Sequence, residues 1–185
     1  MRILLLLHPG VEELEAVGPT DIMRRAGLEV TLASTSDNLL VKGRNQIILS
    51  ADVLLEDIEV KEFDALVIPG GPGVTDLRKD GSIANLAKAY TSALKPIAAI
   101  CAAPLLLKDA GLLGGESRPA AHFSCKEEIP NLDDHSCFVE EGRVYTSRSA
   151  GDAIAFGLGL AARFAGKEKA IEVAETISLS AKDVP

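Results

Sequence analysis

A chain of 185 residues, 47% hydrophobic and 25% charged, has the balance of a globular protein and the length for one domain with a proper core, taken here as residues 1–185. Its 27 acidic residues outweigh 19 basic ones for a net charge of -8, and no basic stripe is interleaved with aromatics, so nucleic acid and anionic membrane surfaces are excluded as partners. The three cysteines, Cys101, Cys125 and Cys137, are odd in number and lack CxxC spacing, which suits a reducing cytoplasm better than a disulfide framework.

The chain opens on RILLLL (2–7), an apolar run too short for a signal peptide or a membrane span, and His8-Pro9-Gly10 stops it at once. Helix formers fill 12–26; Pro19 is expected to bend that helix, and Gly27 to supply a left-handed cap. EVTLAS (29–34) reads as the second strand, and LLVKGRNQIILS (39–50) as a hairpin turning at Lys42 to Asn45. ALVIP (65–69) and PIAAI (96–100) are two further strands, separated by a helix over 82–93 and followed by another over 102–110. Unbroken apolar runs of this kind belong to strands covered on both faces. A short strand is expected just before His122, and then a strand pair, Cys137 to Val139 with Arg143 to Ser147, turning at Glu140 to Gly142. Two helices, 150–165 and 167–178, close the chain; the small-residue stretch from Ala153 to Gly166 is too short to span a membrane and reads as a packed amphipathic helix. The alternation predicts an α/β three-layer sandwich around a mostly parallel sheet.

In open parallel sheets, ligands bind beyond the carboxyl ends of the strands. Three such ends carry unusual residues: HPGVEELEAV after the first strand, PGGPG after the third and CAAP after the fourth. In IAAICAAP a buried strand runs straight into Cys101, with small Ala99 and Ala103 on either side and Pro104 in the first turn of the next helix. That pattern parallels the nucleophile elbow of hydrolases, where strand and helix crowd each other. A thiol at a helix N-terminus is favoured as thiolate, its nucleophilic form; the plainer alternative is a cysteine filling the core. Glu12, Glu13 and Glu15 open the first helix, where acids are favoured for dipole reasons alone. Helical spacing aligns Glu15 with Gly18, Ile22 and Ala26, and Glu12 with Ala16, Pro19 and Met23, so periodicity does not choose between these two. A glutamate buried beside the thiol would share a proton with it and pass protons to a substrate. PGGPG (69–73) is a tight turn by default and lacks the lysine and serine of a phosphate loop; its functional reading is that the Gly70 and Gly71 backbone donates to a developing oxyanion. His122 gains interest only if it reaches Cys101, and Cys125 and Cys137 default to packing. No His, Cys or carboxylate cluster has metal-ligand spacing.

Taken together, G-V-E-E-L-E-A-V (10–17), D-I-M-R-R-A-G (21–27), V-I-P-G-G (67–71), A-A-I-C-A-A-P (98–104) and T-S-R-S-A-G (146–151) resemble the ThiJ/PfpI superfamily (the DJ-one family), in the branch that contains the Parkinsonism-associated protein deglycase. The likeness runs from about residue 3 to residue 175. It implies a flavodoxin-like sheet, Cys101 as elbow nucleophile, Glu15 as the protonated glutamate beside it, His122 as the histidine near the cysteine, and Gly71 and Ala102 as donors of the oxyanion pocket. It also implies a homodimer with the hairpin and first helix near the interface, lined by Arg25 and Arg44. The chain departs from the family in Ser149-Ala150-Gly151-Asp152, where Gly-Pro-Gly-Thr is frequent, in Phe123, where proline is frequent, and in Pro72, which has no N–H to offer.

The activity the resemblance implies is glutathione-independent conversion of 2-oxoaldehydes such as methylglyoxal to hydroxy acids, of the glyoxalase III or deglycase kind, on a small aldehyde or a glycated protein and without a cofactor. A second reading, of a different class, is a redox-sensing protective or chaperone-like protein acting through oxidation of Cys101. A peptidase reading is weaker: relatives with that activity have histidine directly after the cysteine, and Ala102 stands there.

Overall fold

A computed structural model describes all 185 residues. In chain order the strands are β1 (Arg2–Leu7), β2 (Glu29–Ser34), β3 (Leu40–Lys42), β4 (Ile48–Ser50), β5 (Val53–Leu54), β6 (Ala65–Ile68), β7 (Ile97–Ile100), β8 (Val139–Glu141) and β9 (Val144–Ser147). The helices are α1 (Glu13–Arg25), α2 (Val74–Leu77), α3 (Ser82–Ser92), α4 (Pro104–Asp109), α5 (Ala153–Phe164) and α6 (Lys167–Thr176). Seven strands form one sheet in the order β5-β2-β1-β6-β7-β9-β8, parallel throughout except for β8 against β9, while β3 and β4 form a separate hairpin.

Side chains alternate across the pleat, and both faces are apolar, as the unbroken runs require. Ile3, Leu5 and Leu7 of β1 join Val67, Ala98 and Ile100 in the core beneath α1 and α5. Leu4 and Leu6 join Leu66, Ile68, Ile97 and Ala99 in the opposite core beneath α3 and α4. The result is the three-layer sandwich expected. Outside it, α6 packs on α5 through Ala170, Val173 and Ala174. Hence α5 is buried nearly all round, from Phe156 to Ala162, and is not the one-faced amphipathic helix its composition predicts.

Other departures are local. The side hairpin pairs Lys42 with Ile48, so its turn spans 43–47, wider than predicted. In the second strand pair Glu141 faces Val144, leaving a two-residue loop at Gly142-Arg143 and placing β8 two residues later than expected; Gly142, at φ +65°, gives the left-handed conformation such a tight turn needs. No strand precedes His122, because residues 116–122 find no ladder to join. The two-residue β5 and four-residue α2 are too short to show a period and were not predicted.

Candidate active site

Strands β1 and β6 are neighbours, but α1 leaves one face of the sheet and α3 the other, so a crevice opens beyond their carboxyl ends. Cys101 follows β7 directly. Its N–H donates to the Ser147 carbonyl at 3.0 Å, and its backbone then turns to φ +67°. A left-handed conformation costs a residue with a side chain about 1–2 kcal/mol, so the surrounding packing enforces it. The small flank matters here: Ala99 and Ala103 are both fully buried. This is the strand-to-helix elbow read from the sequence.

The three glutamates of α1 are all buried, and each has a different task. Glu13 accepts from the Asn45 backbone N–H at 2.8 Å and from Asn45 Nδ2 at 3.0 Å, tying the side hairpin to the helix. Glu12 faces Arg44, with Nε at 3.5 Å. Glu15 turns into the crevice, where Oε2 accepts the Gly70 N–H at 2.9 Å and the carboxyl group borders Gly70 together with the Cys101 side chain. The fold thus separates Glu12 from Glu15 where periodicity does not.

Gly70 is corrected by the same contact. Its N–H is committed to Glu15, so it holds the acid in place and is not an oxyanion donor. A Cβ at this position would stand 2.7 Å from Cys101 Cβ and 2.8 Å from Glu15 Oε2, which is why only glycine fits between them. The N–H groups of Gly71 and Ala102 donate to no backbone carbonyl, and both act to lower the pKa of the Cys101 thiol.

Burial pushes the Glu15 carboxyl up to about 7, against the opposing pull of its hydrogen bonds from Cys101 and Gly70. Burial, and then the charge of Glu15, push the Cys101 thiol up as well, while the Gly71 and Ala102 amides pull it down. The expectation of a thiol lowered by a helix N-terminus needs correction: α4 starts only at Pro104 and has six residues, a short dipole set against strong desolvation. Two such groups titrate as a unit. After the first proton leaves, one proton is shared between oxygen and sulfur, and the nucleophilic form is the one with the proton on Glu15. The Gly71 and Ala102 amides, which stabilise the thiolate, favour it.

His122 opens a single helical turn over Phe123–Cys125, and its N–H donates to the Cys101 carbonyl at 2.7 Å. Nδ1 meets Ser124 Oγ at 2.8 Å, leaving Nε2 without a protein partner. Burial, then the charge of Arg44, lower its basicity. Cys101 is 8% exposed, and what it exposes opens with His122 into a cleft of 270 Å³ walled also by Arg44, Thr75, Ala102 and Leu105. Arg44 and Thr75 were not read as site residues, and nothing in their local sequence marks them. An open cleft of 560 Å³ adjoins across His122, but its charges are already paired, Arg148 with Asp152 and Lys126 with Asp134. Cys125 is packed with Ile129 and Leu132. No three His, Cys, Asp or Glu side chains converge as a metal site would require.

The model of the DJ-1/PfpI family matches residues 1–163. Protein dj-1beta of Drosophila melanogaster is 36% identical over 177 residues, covering 93% of this chain and 94% of the relative. The glutathione-independent glyoxalase DJR-1.2 of Caenorhabditis elegans is 32% identical over 183 residues, 96% of either chain. Among solved structures, oxidized DJ-1 of Toxoplasma gondii superposes with a TM-score of 0.89 at 30% identity, over 96% of this chain and 98% of that one.

Proposed function

We propose, from the premise that this chain belongs to the DJ-1/PfpI family, that it converts 2-oxoaldehydes such as methylglyoxal to 2-hydroxy acids through Cys101, without glutathione. The observation that carries this reading is a strained, cleft-lining cysteine beside a buried glutamate whose pKa is raised to about 7. Family members include enzymes of this kind, and the similarity to the nematode glyoxalase supports the assignment.

Cys101 Sγ adds to the aldehyde carbon, and the electron pair of the C=O bond moves onto oxygen, which faces the Gly71 and Ala102 amides. Glu15 gives that oxygen its proton, forming a hemithioacetal. His122 Nε2 takes the proton from the same carbon, giving an enediolate, and returns it to the neighbouring carbon. Glu15 meanwhile carries the hydroxyl proton of the first carbon to the oxygen of the second, leaving a thioester of the hydroxy acid. Water cleaves the thioester and restores the thiol. The sum is one oxoaldehyde plus one water to one hydroxy acid. Oxidation of one carbon is balanced by reduction of the next, so the reaction needs no redox cofactor. An aldehyde carried as an early adduct on a protein would enter the same chemistry.

Wild-type protein supplied with methylglyoxal is expected to release lactate, and Cys101→Ser is expected to release none. Equal release by both would end the proposal. A redox-sensing role is the alternative favoured by one observation: a protonated Glu15 is placed to hydrogen-bond an oxidised Cys101 sulfur, and oxidation of a related protein is named in the Toxoplasma gondii structure. Selective addition of two oxygens to Cys101 under mild peroxide, with negligible aldehyde turnover, would favour it. We further propose a cytoplasmic homodimer joined through α1 and the β3–β4 hairpin; no helix is long and apolar enough to cross a membrane.

A further inference from the structure

His8 is the first residue past β1, it is fully buried, and the chemistry above does not use it. Its imidazole lies between two carbonyl oxygens, Nδ1 at 3.2 Å from Pro9 O and Nε2 at 3.3 Å from Pro69 O. Space for the ring comes from Gly73: a Cβ there would sit 2.5 Å from Nδ1 and 3.0 Å from Cε1. The same Cβ would also collide with the Pro9 carbonyl oxygen, so Gly73 makes room for the ring and for the backbone that follows it.

The consequence follows from peptide geometry. The Pro69 carbonyl and the Gly70 N–H belong to one planar trans unit and point in opposite directions. His8 meets the carbonyl end of that unit, and Glu15 receives its N–H end at 2.9 Å. A neutral imidazole has a single N–H to donate. Complete burial, by desolvation, lowers the basicity of His8 and keeps it neutral. Two carbonyl oxygens are within reach of it, Pro9 O at Nδ1 and Pro69 O at Nε2. Placed on Nε2, that proton bonds the carbonyl of the same peptide whose N–H holds Glu15.

We propose that His8, as its Nε2–H tautomer, is a positioning residue for the Glu15–Cys101 pair, acting through the Pro69–Gly70 peptide. Donation to the carbonyl fixes the peptide plane and polarises its N–H, which strengthens the bond to Glu15 and keeps the carboxyl aimed at sulfur. The inference rests on that pair as the reactive centre but not on the substrate assigned to it, so its test uses thiol alkylation in place of aldehyde turnover.

His8→Phe keeps bulk and removes the donor; His8→Gln keeps a donor near the Nε2 position. Iodoacetamide alkylation of Cys101, followed from pH 5 to 10 (about the span of these titrations), should show a midpoint displaced upward in His8→Phe and a rate at neutral pH reduced about tenfold, as for the loss of one such hydrogen bond. His8→Gln should restore both toward wild type. Glu12 and Arg44, the other charges acting on Glu15, are unchanged in both variants. Wild-type profiles in both variants would overturn the proposal, as would equal displacement in both. Nitrogen-15 spectra of the wild-type imidazole decide it even where a variant does not fold: an Nε2–H tautomer at neutral pH is required, and an Nδ1–H tautomer or an imidazolium would refute it.

Discussion

Three acidic side chains within one turn of α1 illustrate how residue type alone underdetermines role. Glu13 anchors a hairpin, Glu12 pairs with a guanidinium, and Glu15 keeps a proton, although all three are buried. What differs is what the next elements bring to each, which no window on the helix contains. Cys101 was legible because its constraint is local: a buried strand, small flanks and a helix start within a few residues. His8 was not, since a single histidine after a strand has no pattern to betray its two carbonyl neighbours. The proton on Glu15 has a measurable cost. An ordinary glutamate in the unfolded chain ionises near 4.5, and in the fold this one does so at about 7. Between those values the native state binds more protons than the unfolded one, so stability falls as pH rises, by up to about 3 kcal/mol. Glu15→Gln removes that dependence while its side-chain carbonyl still accepts the Gly70 N–H. Its thermal midpoint should therefore exceed wild type at pH 8, with the gain shrinking below pH ~5. The same variant leaves the thiol without the carboxyl that shares its proton, so its alkylation midpoint should move toward alkaline pH by about one unit or more. An unmoved midpoint would remove Glu15 from the reactive pair.

At the scale of elements, β1, β2, β6 and β7 were readable because strands buried on both faces are written as continuous apolar runs. Boundaries failed where pairing partners decide them, as in β8, whose register follows from the Gly142 turn. The α1–α5 contact was also hidden, because it depends on what is absent from a side chain. A Cβ on Gly157 would stand 2.9 Å from both Pro19 Cα and Ile22 Cβ, so the two helices meet backbone to backbone at this point. Since α1 carries Glu15, the spacing of this contact sets the depth of the acid in the crevice. Gly157→Ala should gain about 0.5–1 kcal/mol of helix propensity and lose about 1–3 kcal/mol to overpacking. The expected outcome is a net loss in chemical denaturation, together with slower Cys101 alkylation at neutral pH. A stabilised variant with unchanged alkylation would show that α1 shifts freely and that the helix pair does not set the site.

For the whole molecule, net charge and apolar surface pull association in opposite directions. Leu14 and Val17 on α1, Ile47 and Ile48 on the hairpin and Ile154 on α5 are exposed. The elements that carry them are in contact, since Glu13 accepts the Ile47 N–H and the Gly18 backbone lies close to Ile154. Exposed apolar side chains on adjoining elements are what a second copy would bury in the proposed homodimer. A charge of -8 on each copy opposes pairing of two copies, more strongly at low salt, where screening reaches furthest. A homodimer formed through this face should therefore tighten as salt rises, unlike one held by ion pairs. Sedimentation should give twice 19.5 kDa for wild type, and Val17→Asp, which places a carboxylate at the centre of the face, should sediment as monomer with unchanged far-ultraviolet circular dichroism. The hairpin also carries Arg44 into the Cys101 cleft, and its strands of three residues each have no place in the main sheet. Loss of the dimer should thus free the hairpin and reduce methylglyoxal turnover while Cys101 and Glu15 stay intact. A monomeric wild type, or a monomeric variant with full turnover, would separate the site from the interface.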